Sequence, residues 1–405
     1  MNIPTGEDEG PRSVTIVLNA AGEVVWYHRG DDSPGTPIAH LNGKFLGMLH
    51  ESEIVEFTLD GSTYRRWHAA RFPNHGKDLE VEAHSIPVAA ETLHHDLLIL
   101  PSGNFLSLST EVLEVDHFPS DPADPASAKE KANLISDIVI EFAPDGSLVR
   151  QWKLADLIDP HRFGYESGAG VWDGWGYSNV EGGTKDWLHA NALAYWAAED
   201  LLAVSLRHFD AVIGLRLETG ELVWILGTPD GWGEKWKPYL LNPVGEFTWP
   251  FHQHAVRFTP EGELLLFDNG NFRAWPPQPP MEAQDHYSRV VRYAIDSTDL
   301  SVRQVWSYGG SDSERFFSSF VSEADLLPVT GNLLITDGGR TRGPDGRFSL
   351  DLGVGRLSAR IFEITTSSTP EIVFEVEVED RSQSNPTKWL VYRSERIASL
   401  YGVEN

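Results

Sequence analysis

Three histidines and one arginine stand out as residues whose type and spacing could do chemistry. His95 lies in His94-His95-Asp96-Leu97-Leu98, His189 in Trp187-Leu188-His189-Ala190-Asn191, and His254 in His252-Gln253-His254-Ala255-Val256. His95 precedes the turn glycine Gly103 by eight residues, and His254 precedes Gly262 by the same interval. The two are therefore equivalent positions at the start of a strand, and His189 takes the corresponding place between them. Arg207 follows the alternating run Leu202-Ala203-Val204-Ser205-Leu206 and falls near the same region. One such histidine alone would suit a cap on a neighbouring strand's backbone. Three aligned histidines with a fixed cation favour a reaction site. Two other readings stand beside it. Three histidines also suit zinc or copper, with Asp96, Asp210 or Asp268 as carboxylate partners, although the charge of Arg207 opposes a cation. A non-catalytic fold that binds a protein or glycan through one face is the third.

Bringing residues so far apart in sequence to one place requires a repeating architecture. Six segments share a turn followed by a β-rich run that ends near an aromatic residue: 22–26, 61–67, 146–152, 220–224, 300–306 and 370–374. Alternating strands precede them, such as Asp137-Ile138-Val139-Ile140-Glu141-Phe142, and Pro and Gly mark the turns. Four antiparallel strands per repeat is the blade of a β-propeller, so the expected fold is all-β, a six-bladed propeller with long inserted loops. Residues 1–405 are then a single propeller domain. Too few residues precede Trp26 for a full blade. The segment around Lys388-Trp389-Leu390-Val391-Tyr392 is expected to supply its inner strands, closing the ring by pairing of the N- and C-terminal segments. The innermost strands line a central channel, and the three histidines would meet at its mouth.

Composition narrows the function classes. The chain of 405 residues carries 32 basic and 60 acidic side chains, a formal charge of −28. Nucleic acid and anionic membrane surfaces are disfavoured as partners, since both need clustered Lys and Arg. An anionic small molecule requires a locally positive site. The absence of cysteine excludes disulfides, thiolate metal sites and cysteine nucleophiles. No phosphate loop, dinucleotide turn, GxSxG elbow or HExxH occurs. The first residues lack the basic and apolar regions of a signal peptide, so the expected protein is soluble, and exported only if a leader has been removed.

In this order, HHDLLILPSGN, DWLHANAL, SLRHFDAV and FHQHAVRF resemble the motifs of the aryl sulfotransferases that use aryl sulfates as donors, with similarity from about Val14 onward. The resemblance implies a six-bladed propeller that moves a sulfuryl group from an aryl sulfate to a phenol by a ping-pong route, with no cofactor and no metal. Position by position, it places the catalytic histidines at His95, His189 and His254 and the arginine at Arg207, with His254 as the nucleophile that becomes a sulfohistidine. Two departures stand out. Ala255 replaces a common Asp, and no amino-terminal sandwich domain, on which the family's homodimer would rest, precedes the repeats.

The chemistry suits those residues. A sulfate monoester spreads its charge over three terminal oxygens, and its transfer should resemble phosphoryl transfer through a loose transition state. Positioning and fixed donors then matter more than a strong nucleophile. Imidazole, with a pKa near ~6.5, is largely neutral at pH 7 and can be sulfonated at nitrogen. A planar guanidinium offers paired donors to the sulfuryl oxygens. His95 and His189 are expected to donate to those oxygens or to the bridging phenolic oxygen, and one of the site's histidines to take the acceptor's proton. The long insertion from Asp159 to Trp187 holds Phe163, Tyr165, Trp172, Trp175 and Tyr177. It either covers the channel mouth or buries its own aromatics as a surface loop.

Overall fold

In the computed structural model the described residues are 2–3, 12–29, 36–41, 43–72, 84–311, 313–351, 355–382 and 388–401. They form six antiparallel sheets in chain order, the blades of an all-β propeller. The third sheet runs His94–Ile99, Phe105–Pro119, Lys129–Phe142 and Leu148–Lys153 from inside to outside. The fourth runs Ala190–Trp196, Leu201–Leu206, Ala211–Arg216 and Leu222–Gly227. The fifth runs His254–Phe258, Leu264–Asp268, Arg289–Asp296 and Ser301–Tyr308. Innermost strands of successive sheets pack on one another.

Burial follows from this layering. Leu201–Leu206 is buried at every position because sheets cover both of its faces. Outermost Leu148–Lys153 alternates between half-buried and exposed, since one face meets solvent. The apolar core lies between blades. Leu106 and Val139 of the third sheet pack with Leu193 and Val204 of the fourth, and Val212 and Trp224 of the fourth with Leu266 and Val291 of the fifth. The turn glycines serve that packing as well as the turn. Gly220 has φ +73°, and a Cβ there would lie 2.2 Å from the Trp152 ring of the preceding blade. Gly262, at φ +82°, stands in the same relation to Trp196, at 2.3 Å. Any side chain would have to push the indole out of the blade interface.

The first sheet is described only in part, and the expected closure by terminal pairing falls partly outside the described residues. Among the described residues its strands are Asn2–Ile3, Arg12–Leu18 and Val24–Arg29. In the carboxy-terminal segment Trp389 N–H donates to Leu357 O and Val391 N–H to Gly338 O, both in the sixth sheet. Leu400 then packs with Val17, Trp26 and Phe45 between the first and second sheets. The segment crosses as an extended strap whose side chains do the joining, because its polar residues find partners inside the ring. Arg393 Nη1 lies 2.6 Å from Asp96, which Arg257 also approaches at 3.4 Å, while Arg257 pairs with Glu323 at 2.7 Å. No helix among the described residues is long and apolar enough to cross a membrane.

Candidate active site

Each predicted histidine sits where the innermost strand leaves its ladder. In the third sheet His94 faces Leu108 and Leu97 faces Ser107, so His95 and Asp96 form a bulge. In the fourth, the register slips just after Ala190, next to His189. In the fifth, it slips between His254 and Arg257. Bulges re-aim side chains away from the sheet normal. The backbone reaches φ of +58° at His95, +51° at His189, +54° at His252 and +52° at Ala255. Such left-handed residues cost roughly 1 kcal/mol or more each and persist only where surrounding contacts enforce them.

The contacts fix which nitrogen of each ring carries its proton. His254 Nδ1 lies 2.7 Å from Asn269 Oδ1 and 3.2 Å from the carbonyl of His252. Asn269 donates its own amide hydrogens to Ser318 O and Val321 O, which turns Oδ1 toward the ring. Both partners of His254 Nδ1 accept, so Nδ1 bears the hydrogen and Nε2 keeps a lone pair. His189 Nδ1 lies 2.5 Å from Asp186 Oδ2, while Trp172 Nε1 donates to the other carboxylate oxygen at 3.1 Å. The His95 and His189 rings meet edge to face at 4.8 Å. Burial, then the charge of Arg207, holds His254 and His189 well below the ordinary histidine range. Burial, then its neighbours His189 and His254, does the same for His95. All three are neutral imidazoles at pH 7.

Arg207 opens the short turn Arg207–Phe209 between the second and third strands of the fourth sheet. Its backbone N–H donates to His189 O at 3.2 Å, tying the arginine to that histidine. Nη2 donates to Ser319 O at 3.2 Å, and Nη1 pairs with Glu166 of the 159–187 insertion. Glu166 also faces His252 Nε2 at 3.3 Å and His208 Nε2 at 3.8 Å. On its other side His252 Nδ1 meets Asp210 Oδ1 at 2.7 Å. Burial would lower the His252 pKa, but the Asp210 carboxylate outweighs it and raises it. Burial drives His208 down to about 3. Glu166 is held well below its usual range: burial would raise it, but Arg207 and His252 prevail.

The insertion buries aromatics and also brings rings up to the candidate histidines. Trp172 and Tyr177 are buried in the loop's own cluster, while Trp172 lies edge-on to His94 at 5.1 Å and Trp175 to His95 at 6.2 Å. The Tyr392 ring of the strap lies 6.5 Å from that of His95, centroid to centroid.

The structure thus brings His95, His189, His254 and Arg207 into one neighbourhood. Sequence reasoning missed Glu166, Asp186, His208, His252 and Asn269. A signal for His252 existed, since it stands two residues before His254 and three before Ala255, beside the same bulge. None existed for Glu166, whose partners depend on how a long insertion folds back. The carboxylates considered for a metal are engaged elsewhere: Asp96 with Arg393 and Arg257, Asp210 with His252, and Asp268 with Arg289 and Arg273. Among the described residues, the group able to hold a metal ion is Asp186, His189 and His208, with ligand atoms within 4.8 Å of one another. Its short His189–Asp186 contact already serves as a hydrogen bond.

Comparison with known proteins adds independent information. The family model described as arylsulfotransferase (ASST) matches residues 5–393. An arylsulfate sulfotransferase AssT from Escherichia coli O6:H1 is 28% identical over 352 residues, covering 76% of this chain and 54% of that protein. One from Lelliottia amnigena is 29% identical over 231 residues, covering 47% of this chain and 37% of that protein. The chain spans about half the length, or less, of these curated relatives. Among solved structures, a protein of unknown function from Bacteroides caccae aligns with TM-score 0.45 and 14% identity over 93% of each chain.

Proposed function

The chain belongs to the arylsulfotransferase family, and on that premise we propose that it moves a sulfuryl group from an aryl sulfate to a phenolic acceptor through a sulfohistidine at His254. The observation that carries this reading is the state of His254: a neutral ring, its Nδ1–H pinned by Asn269, its Nε2 lone pair free, and Arg207 nearby. In the first half-reaction Nε2 attacks sulfur, an N–S bond forms, and the S–O bond to the aryl group breaks. The bonding electrons leave with the phenolate oxygen, which takes a proton. In the second, an acceptor phenol attacks the same sulfur, the N–S bond breaks, and His254 returns to its neutral form.

Arg207 balances the sulfuryl oxygens as charge shifts between nitrogen and oxygen, and its directed N–H groups suit a group that flattens during transfer. His189, whose Nδ1–H is held by the Asp186 carboxylate, keeps the Nε2 lone pair to accept the acceptor phenol's proton. His95, in ring contact with His189, hydrogen-bonds the bridging or terminal oxygens. The partners on this reading are small aryl sulfates and phenols, with no cofactor in either step.

The test is rapid mixing with a chromogenic aryl sulfate and no acceptor. One burst of phenol per active site is expected, with one sulfuryl group added to the intact mass. His254→Asn should abolish both signals. A burst of normal size from that variant would move the nucleophile to another residue.

A further inference from the structure

Arg207 is almost fully buried, at 7% exposure, in a protein with a formal charge of −28. A guanidinium in that position needs an anion. Glu166 supplies it, and one of its oxygens, Oε2, is the shared point of contact: it pairs with Arg207 Nη1 and lies 3.3 Å from His252 Nε2 and 3.8 Å from His208 Nε2. The donors are only partly used. Arg207 Nε is buried with no hydrogen-bond partner among the described residues, and His252 Nε2, also buried, approaches Glu166 by charge at 3.3 Å without a directed hydrogen bond. His252 Nδ1 already faces the Asp210 carboxylate, and an acid group beside each ring nitrogen favours the doubly protonated ring. Two cations and a further imidazole therefore surround one carboxylate oxygen and leave donors over. A carboxylate offers two oxygens in a plane, whereas a sulfate or sulfate ester presents three in a tetrahedral array.

We propose that Glu166 is a resident anion in an oxyanion site built by Arg207 and His252, with His208 beside them, and that a sulfate ester or free sulfate must displace its carboxylate to bind. The proposal deepens the reading above, on which it rests for the identity of the turnover substrate but not for the anion site itself. The insertion is suited to release the side chain without unfolding. Inside it Thr184 donates to Asp173 and Gly164 N–H donates to Ser167 Oγ, and Gly233 N–H ties its start to the fourth blade through Asp159. The Glu166 side chain is 31% exposed, so it has an outward path that Arg207 lacks. His252 thereby becomes a positioning cation for the anion, separate from the His254 nucleophile two residues on.

The test titrates inorganic sulfate into the whole protein by calorimetry, at constant ionic strength set with chloride. Removing the competing charge in Glu166→Gln should tighten sulfate binding at least tenfold. Adding His252→Gln in that background should weaken it at least tenfold. Glu166→Asp, which keeps the charge on a shorter arm, should bind sulfate more tightly than the native protein and more weakly than Glu166→Gln. Thermal melts identify any variant that fails to fold, and the remaining variants then carry the comparison. Unchanged or weaker sulfate binding in folded Glu166→Gln overturns the proposal, as does sulfate binding that ignores His252. Turnover of an aryl sulfate separates the two ideas. Normal bursts with unaltered sulfate affinity refute the resident anion alone, and altered sulfate affinity with no turnover by the native protein supports it while refuting the transferase reading.

Discussion

Replacing Arg207 by lysine keeps a positive charge and removes a directed pair of donors. The native guanidinium uses Nη1 on Glu166 and Nη2 on Ser319 O. A lysine ammonium can take up one of these, and in the transition state one of the corresponding contacts to sulfuryl oxygens. Losing one charge-assisted hydrogen bond costs about 1.5–3 kcal/mol, which at about 1.4 kcal/mol per decade is roughly 10- to 150-fold in rate. Both half-reactions should slow by that factor, because the same group is in flight in each. Stability should barely move. The Ser319 carbonyl keeps a donor, Asn271 Nδ2 at 2.8 Å, and Glu166 keeps His252 at 3.3 Å, so no buried acceptor is orphaned. Stopped-flow burst rates give the first step, steady-state rates at saturating phenol the second, and urea midpoints the stability. Both rates within threefold of native would remove Arg207 from the transfer. A loss of more than about 2 kcal/mol in stability would instead make it a strut.

Two further outcomes follow from the same contacts. Asp186→Asn supplies one amide oxygen where two donors, His189 Nδ1 and Trp172 Nε1, each need an acceptor; the second half-reaction should fall about tenfold or more with a burst of native size, and an unchanged steady-state rate would refute the base role of His189. Asp96→Asn leaves Glu323 as the carboxylate still paired with both Arg257 and Arg393 and should cost about 3 kcal/mol in urea unfolding. Burial would raise the Asp96 pKa, yet Arg393 and Arg257 take it down to about 2, against roughly 3.9 in an unfolded chain. The pair's contribution is therefore full above about pH 4 and lost as pH falls toward 2; an acid-unfolding profile identical in native protein and Asp96→Asn would contradict this.

What the sequence made legible is what repetition encodes. The turn glycines and the runs of period two gave the blades, since Gly103, Gly146, Gly220, Gly262 and Gly331 all take positive φ between strands. The four candidate residues were visible because blade equivalence places them together whatever the loops do. The bulges that turn His95 and His254 off their ladders have no equivalent signal, because a one- or two-residue slip changes pairing without changing residue types. Nor could the partners of Arg207 be read. Glu166 is one acid among many, and only the folded insertion selects it. The strap carries a partner no pattern announces: Trp389-Leu390-Val391-Tyr392 alternates like a strand, and the next residue, Arg393, pairs with buried Asp96.

That ion pair joins positions 297 residues apart, and it orders events on the ribosome. Every candidate residue, from His95 to His254, emerges before Arg393 does. A nascent chain can therefore stack its middle blades and assemble the histidines while Asp96 still carries a charge with Arg257 alone to answer it. The channel is neutralised only when the strap arrives and lays Tyr392 beside His95. A chain stopped short of residue 393 would keep each candidate side chain and still lack the cation that pairs with Asp96.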